Sequence, residues 1–220
     1  MTRRRLLAMA AALLASAAHA QTALPPLVAA AERGDVEQLR RLLAAGTPIH
    51  QADSRGRHAV LAATQGGHEA AARLLIEHGA DVNAQDDIQD SAFLLAGARG
   101  HTGILRAALG ARPAPDFKRL NRYGGTALIP ACHYGHVEAV RLLLGTPIDV
   151  NHVNRLGWTA LLEAIILGDG GAAHTEIVRL LLAHAADPNR ADAQGVSPLA
   201  HARQRAQTRI VSLLAAAGAR

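Results

Sequence analysis

The sequence is poor in aromatic residues and in the other side chains that favour β-strands. Of 220 residues only one is Trp, two are Tyr and two are Phe, although half of the chain is apolar. Most of this apolar content is Ala and Leu, which favour helices, whereas the strand-forming residues Val, Ile and Thr are sparse. We therefore expect an all-α protein with a thin core of small side chains, in which the few aromatic residues are informative.

Cysteine is also scarce, and the usual metal-binding patterns are missing. Cys132 is the only cysteine, so the chain cannot form an internal disulfide and must be stabilised by packing. No HExxH motif or paired CxxC motif occurs, and only His133 and His136 form a histidine pair at ligand spacing. Because a tightly bound metal ion needs three or four ligands, we predict no metal site and no cofactor.

The motifs that carry catalysis in common enzyme classes are absent as well. The sequence contains no GxSxG nucleophile elbow, no phosphate-cradling glycine loop and no Cys-His arrangement. The Gly170-Gly171 pair belongs to a flexible loop rather than to a phosphate motif. We therefore predict that the protein is not an enzyme and has no catalytic residue.

Charge of one sign does not dominate the chain. The formal net charge is +5, but three arginines lie at residues 3–5, in a segment that we expect to be removed. Without them twenty basic residues stand against eighteen acidic ones, which leaves +2. This balance is too mild to predict binding to nucleic acid or, after the segment is removed, to a membrane surface.

The first twenty residues are typical of a signal peptide. A basic start at residues 3–5 precedes an apolar run at residues 6–17 and the small-x-small sequence at residues 18–20. The run is too short to span a bilayer, which needs about 20 apolar residues. We predict cleavage after Ala20 and export to the periplasm, by the ordinary secretory route in preference to the twin-arginine route, with residues 21–220 as the mature domain.

The mature part repeats a pattern with a period near 33 residues. Each of five segments opens with Asp or Asn and continues through a turn into an apolar helix pattern, and Gly-His recurs before three of the second helices. The opening residues are Asp53, Asp86, Asn121, Asn154 and Asp192. With a partial first unit, six units are predicted, at residues 24–52, 53–85, 86–120, 121–153, 154–191 and 192–220.

These marks resemble the ankyrin family. The turn Gly, the T-A-L or S-P-L helix opening, Gly-His and the G-A-D-V-N string at residues 79–83 all match that family's repeat. The resemblance implies a solenoid whose unit is a tight turn, two antiparallel helices and an extended loop. Independently, Thr126, Thr159 and Ser197 stand where helix N-caps belong, and Pro198 follows its cap at the first helical position.

Two units depart from the repeat. Unit 3 has Gln89 in place of the turn Gly and ends in A-R-P-A-P-D-F-K-R-L, which indicates either a bend in the array or a degenerate unit, and we favour the latter. Unit 5 carries about five extra residues around 169–173, which we place in a loop between its two helices.

Family resemblance implies that binding occurs through the turn tips and the exposed face of the first helices. Both tyrosines and the only tryptophan fall on such positions in units 4 and 5, and exposed Tyr and Trp are strong interface anchors. Trp158 has an alternative, in which it packs onto its neighbours. The predicted partner-binding residues are Arg122, Tyr123, His133, Tyr134, Arg155, Trp158 and Glu163.

Glu163 is the most unusual of these residues, because the family usually has Leu at its position in the first helix. A half-buried carboxylate needs a partner, which His201 or an amide of a neighbouring turn can supply. The sequence leaves open whether Glu163 is structural or faces a ligand. Its equivalent one unit earlier is Pro130, which costs the helix one backbone hydrogen bond and predicts a locally reshaped groove.

The leading function is therefore a monomeric periplasmic scaffold that recognises a protein partner through its concave face. A second hypothesis is a small-molecule binder or enzyme with a pocket between units 4 and 5. That pocket would be lined by Glu163, Trp158, His133, Asp169 and His201. A third is a homo-oligomer closed through the apolar tips.

Overall fold

The computed structural model describes residues 24–220, which contain twelve helices and no strand, apart from an isolated bridge between Ala52 and His58. The predicted signal peptide at residues 1–20 lies outside the described residues. The first helices of the six units are α1 Pro26–Glu32, α3 Ala59–Gln65, α5 Ala92–Ala98, α7 Leu128–His133, α9 Ala160–Ile166 and α11 Pro198–Gln204. The second helices are α2 Val36–Ala44, α4 Glu69–Glu77, α6 Thr102–Leu109, α8 Val137–Leu144, α10 Ala172–Ala183 and α12 Thr208–Ala216.

The helices stack in two layers along the array. Each first helix packs against the first helix of the next unit, each second helix packs against the next second helix, and the two helices of a unit pack against each other. The buried side chains are mainly Leu, Ala, Ile and Val, and Phe93 is the largest that is fully buried. No helix pair could bury its apolar face alone, so stacking creates one continuous core. The predicted all-α solenoid is confirmed.

Two of the three predicted N-cap residues cap their helices. Thr159 Oγ1 accepts a hydrogen bond from Leu162 N at 3.3 Å, and Ser197 Oγ accepts one from Ala200 N at 3.2 Å. Thr126 is the exception, because α7 begins only at Leu128 and the Thr126 hydroxyl is buried without a hydrogen-bond partner.

The altered end of unit 3 keeps the connection that the regular units use. Asn83 Nδ2 donates to Ala114 O at 2.9 Å, and Asn83 Oδ1 accepts from Asp116 N at 2.8 Å. Asn151 bridges to the loop of the following unit in the same way. The shared bridge fits a degenerate unit better than a flexible bend.

The insertion of unit 5 is a loop only in part. Residues 167–171 connect the two helices, but Ala172 and Ala173 begin α10. This helix has 12 residues, whereas the other second helices have eight or nine. The extra residues therefore lengthen a helix as well as the loop before it.

Candidate functional site

The turn at the start of each unit is held by its opening side chain. In unit 5, Asn154 Oδ1 accepts hydrogen bonds from Leu156 N at 2.9 Å and from Trp158 N at 3.0 Å. Asp53, Asp86, Asn121 and Asp192 accept the same pair of bonds in their units. Such an Asx turn satisfies the backbone locally and leaves the residues between its ends free to project. The tips are therefore rigid supports for variable side chains.

A groove of about 740 Å³ runs between these tips and the ends of the first helices in units 3 to 5. Within residues 24–220, seven large hydrophobic side chains are exposed, and four of them line this groove. They are Tyr123, Tyr134, Leu156 and Leu167, with exposed fractions of 57, 60, 53 and 43%. Their concentration distinguishes the groove from the scattered single apolar residues that are normal on a protein surface.

Glu163 lies at the floor of the groove and is only 6% exposed. Its Oε1 accepts a hydrogen bond from Asn154 Nδ2 at 2.8 Å, and its Oε2 is 3.7 Å from His133 Nδ1. Burial raises the pKa of Glu163 to about 7, and the single hydrogen bond from Asn154 only partly opposes this effect. Burial, with a contribution from nearby His174, lowers the pKa of His133.

The sequence suggests two partners for Glu163, His201 or an amide of a turn. The partner observed is the side-chain amide of Asn154, which opens the turn of unit 5. The other, His201, instead contacts Asp192, with 2.7 Å between Nε2 and Oδ2. Both pairs join the opening residue of a unit to the residue nine positions later. The ninth position after the opening residue can therefore hold a polar side chain that contacts the turn.

Pro130 occupies the same position in unit 4 and changes the helix as the sequence predicts. In α9, Glu163 N donates to Thr159 O at 2.9 Å, but Pro130 has no N–H for the equivalent bond. Ile129 N donates to Thr126 O at 3.3 Å instead, and α7 begins one residue later than α9 does relative to the repeat. Pro130 lines the groove, so this local change shapes its wall.

The predicted tip residues of units 4 and 5 form one connected cluster. The Arg122 guanidinium lies 5.0 Å from the centre of the Tyr123 ring and 3.5 Å from Asp90 Oδ2. Arg155 Nη1 donates to the backbone oxygen of Arg122 at 2.7 Å. Nearby, the His133 ring stacks on that of Tyr134, with 4.2 Å between centroids and 14° between planes.

Trp158 differs from the other predicted residues. It is half-buried and is absent from the groove lining, whereas Leu156, two residues earlier, lines the groove and is exposed. Leu156, Leu167 and Arg99 also line the groove and are not among the predicted partner-binding residues, although Leu156 and Leu167 stand at variable surface positions of the repeat. The repeat period could have predicted Arg99 and Leu167, because each stands directly before the interhelical Gly, as Tyr134 does.

The structure does not bring together the five residues of the hypothetical small-molecule pocket. Glu163 and His133 line the groove, but His201 is held by Asp192 and Asp169 is an exposed residue that contacts His174 at 2.8 Å. In the part of the chain from residue 24 onwards, no three His, Cys, Asp or Glu side chains lie close enough together to hold a metal ion. Over the same residues, no helix has the length and apolar character needed to cross a membrane.

The stacked helix pairs and the tips held by Asx turns define a repeat solenoid with a groove between the tips and the first helices. Comparison with known proteins identifies the family: the chain belongs to the ankyrin repeat proteins, whose family profile matches in three copies at residues 5–86, 92–192 and 147–220. Ankyrin repeat domains generally mediate protein–protein interaction, and proteins with this fold are typically non-enzymatic scaffolds.

Similar proteins come from bacteria and beyond. The chain is 42% identical to the ankyrin repeat protein YahD of Escherichia coli (strain K12) over 86% of its own length and 94% of that protein. A solved ankyrin repeat domain from Acinetobacter baumannii AYE is 51% identical, with a TM-score of 0.85 over 89% of this chain and 98% of that one. The ankyrin repeat domain of Bcl-3, a member of the IkappaB family, is 27% identical, with a TM-score of 0.77 over 89% and 86% of the two chains.

Proposed function

We propose that the protein is an exported, periplasmic ankyrin scaffold that binds a protein partner in the groove of units 3 to 5, with the strongest contacts in units 4 and 5. The observation that carries the proposal is the concentration of four exposed large apolar side chains along this one groove. Tyr residues are frequent interface hot spots, because they bury a large area and keep a polar end.

The groove also has the rigidity that favours binding. The Asx turns hold the tips, and the stacking of His133 on Tyr134 fixes an aromatic side chain that would otherwise rotate freely. A side chain that is already ordered loses less entropy when a partner binds. The exposed apolar residues therefore act as preformed anchors.

Crosslinking in the native cell tests the groove. A photoreactive phenylalanine derivative in place of Tyr134 is expected to crosslink a partner protein that mass spectrometry can identify. The same residue in place of Ile88 is the matched control, because Ile88 is 51% exposed on the tip of unit 3 and does not line the groove. Equal crosslinking from both positions, or none from position 134, would refute binding in the groove.

Export is proposed from the signal sequence and is tested separately. Cell fractionation is expected to place the protein in the periplasm, and sequencing of its N-terminus should begin at Gln21. Unchanged export in cells that lack the twin-arginine translocase would support the secretory route. An uncleaved protein in the cytoplasm would contradict export, but it would not affect the proposal that a partner binds in the groove. Light scattering should give the mass of a monomer.

One observation supports the second candidate, a small-molecule binder or enzyme. Glu163 is a buried carboxyl group that faces the groove with a pKa of about 7, and its Oε2 has no hydrogen-bond partner among the described residues. Glu163→Gln keeps the size of the side chain and removes its acid chemistry. If position 134 captures no protein and a small molecule stabilises the parent but not this variant against thermal unfolding, a ligand at Glu163 is favoured, whereas normal crosslinking in the variant favours the scaffold.

A further inference from the structure

Two arginine side chains line the groove, and two more reach backbone oxygens at or next to its lining. Arg99 and Arg122 line the groove, the first at the end of α5 and the second on the tip of unit 4. Arg155 is on the tip of unit 5, and Arg205 follows α11 at the far end. All four are exposed. The tips thus contribute one pair of arginines and the helix ends contribute another.

Two of these arginines are held in place by backbone oxygens. Arg155 Nη1 donates to Arg122 O at 2.7 Å, and Arg205 Nε donates to Ile166 O at 3.1 Å. A guanidinium has five N–H donors, so each group keeps further donors for a ligand. Because the backbone bonds already orient them, these side chains lose less freedom on binding an anion.

Acidic partners for these arginines are few within the protein. Arg122 is 3.5 Å from Asp90, but Arg99, Arg155 and Arg205 form no ion pair with any residue from 24 to 220. Second helices offer a contrast, since Arg141 and Arg179 both contact Glu176, at 3.2 Å and 2.6 Å. The lining holds two acids, Asp90 and Glu163, beside Arg99 and Arg122, so the unpaired positive charge is that of Arg99 and, next to the lining, of Arg155 and Arg205.

We infer that the groove takes an extended acidic segment of the partner, in which an apolar side chain packs between Tyr134 and Leu156. Carboxylates on either side of that apolar residue then meet Arg122 and Arg155 at the tips, and Arg99 and Arg205 at the helix ends. Arg suits this task because its planar fork matches a carboxylate. The inference rests on the proposed function and specifies the chemistry of the partner.

A protein segment fits the groove better than nucleic acid does. The arginines are separated by four exposed apolar side chains, whereas a nucleic acid backbone requires a continuous basic track. The charge of residues 24–220 is also only +2, with twenty basic and eighteen acidic residues. Positive charge gathered at an apolar groove on a nearly neutral protein matches a ligand that alternates acidic and apolar residues.

Fluorescence anisotropy with three labelled peptides of equal length tests this inference on the purified protein. In the peptides Leu alternates with Glu, with Lys or with Ser. We expect the Glu peptide to bind at least about tenfold more tightly than the other two and to weaken as salt is raised. Arg122→Glu with Arg155→Glu should weaken its binding by about tenfold, and so should Arg99→Glu with Arg205→Glu. Two separate pairs guard against one variant misfolding.

The matched control is Arg106→Glu with Arg209→Glu, which makes the same charge change at exposed positions of the second helices α6 and α12. The inference is overturned if this control weakens binding as much as the groove pairs do, if the Lys peptide binds as well as the Glu peptide, or if no peptide binds. Equal binding of a single-stranded oligonucleotide that competes with the Glu peptide also overturns it. If the Ser peptide binds as tightly as the Glu peptide, only the acidic specificity fails, and crosslinking from position 134 still tests the scaffold.

Discussion

In unit 2 the opening residue Asp53 pairs with a buried arginine, and in unit 5 the opening residue Asn154 pairs with a buried glutamate. Arg57 Nε donates to Asp53 Oδ2 at 2.8 Å, and its Nη1 also donates to Glu32 and to Gln65. Glu163, by contrast, has one hydrogen bond, and its second oxygen faces the groove. The opening residue thus supports a closed structural cluster in one unit and an open site in the other, through partners four and nine positions later in the chain.

The pKa shifts of the two carboxyl groups follow this difference. Burial acts to raise the pKa of Asp53, but the N–H groups of Arg57 and Arg55 and the guanidinium of Arg57 more than offset it, so the pKa is lowered. At Glu163 burial prevails and raises the pKa to about 7. Burial alone therefore does not distinguish a structural carboxyl group from one that faces a groove. The number of its hydrogen-bond partners does.

The largest effect is expected from opening the cluster of unit 2. Arg57→Met leaves Asp53 buried without its cation, which should lower the free energy of unfolding by about 3 kcal/mol or more. Urea unfolding followed by circular dichroism measures this loss. Arg179→Met is the control, because its side chain is 52% exposed and exposed ion pairs are worth at most about 1 kcal/mol. Similar losses in both variants would contradict the structural role of Arg57.

Glu163→Gln should give the next largest effect, with a clear pH dependence. The pKa of Glu163 rises from 4.5 in the unfolded chain to about 7 in the folded protein, so the folded state holds this proton more tightly. Stability due to this group is therefore highest below pH 4.5 and falls as pH rises to about 7, by about 3 kcal/mol at most. The variant should be more stable than the parent near pH 8 and equal to it near pH 4. A gain of the same size at both pH values in urea unfolding would rule out this account.

Pro130→Ala tests the wall of the groove. The substitution restores the N–H that can donate to Thr126 O, as Glu163 N donates to Thr159 O in unit 5. One recovered hydrogen bond should raise the free energy of unfolding by about 1 kcal/mol. Thermal unfolding measures the gain, and a less stable variant would mean that the proline is favourable where it stands.

The smallest effect is expected at the degenerate turn of unit 3. Gln89 has φ of 62°, in the left-handed region that the other units fill with Gly. Gln89→Gly should stabilise the protein by about 0.5 kcal/mol, because relief of this conformation is partly cancelled by the entropy of the unfolded chain. Gly56→Ala is the matched change in unit 2, where a Cβ would come within 3.1 Å of Asp87 Oδ1, and it should be destabilising. A stability loss in Gln89→Gly would contradict the prediction.

Peptide binding extends the comparison of units 2 and 5 from stability to function. If units 1 and 2 serve mainly as support, the Arg57 variant should lose stability while the folded fraction still binds the Glu peptide. The groove variants should lose binding without a change in unfolding. A reversal of these two patterns would show that the assignment of units is wrong.

The repeat, the helix pairs and the turns were predictable because they depend on residues close together in the chain. The hydrogen bonds that Asn154 accepts from the residues two and four positions later need no distant partner, and neither does the cap at Thr159. Gln89 was recognised as a substitute for Gly, and its left-handed φ follows from the shape of the turn. The exception at Thr126 arises from the proline four residues later.

Tertiary structure alone decided which side chains meet at the site. The approach of His133 to Glu163, the half-burial of Trp158 and the exposure of Leu156 all depend on how one unit stacks on the next. So do the contacts of Arg155 and Arg205, which reach backbone oxygens 33 and 39 residues away. Stacking sets the rotation and spacing between units, and a local pattern of residues carries no direct measure of either. By itself the sequence determined a repeat solenoid with variable tips, and the stacking turned those tips into a groove with an apolar centre, arginine sides and one buried acid.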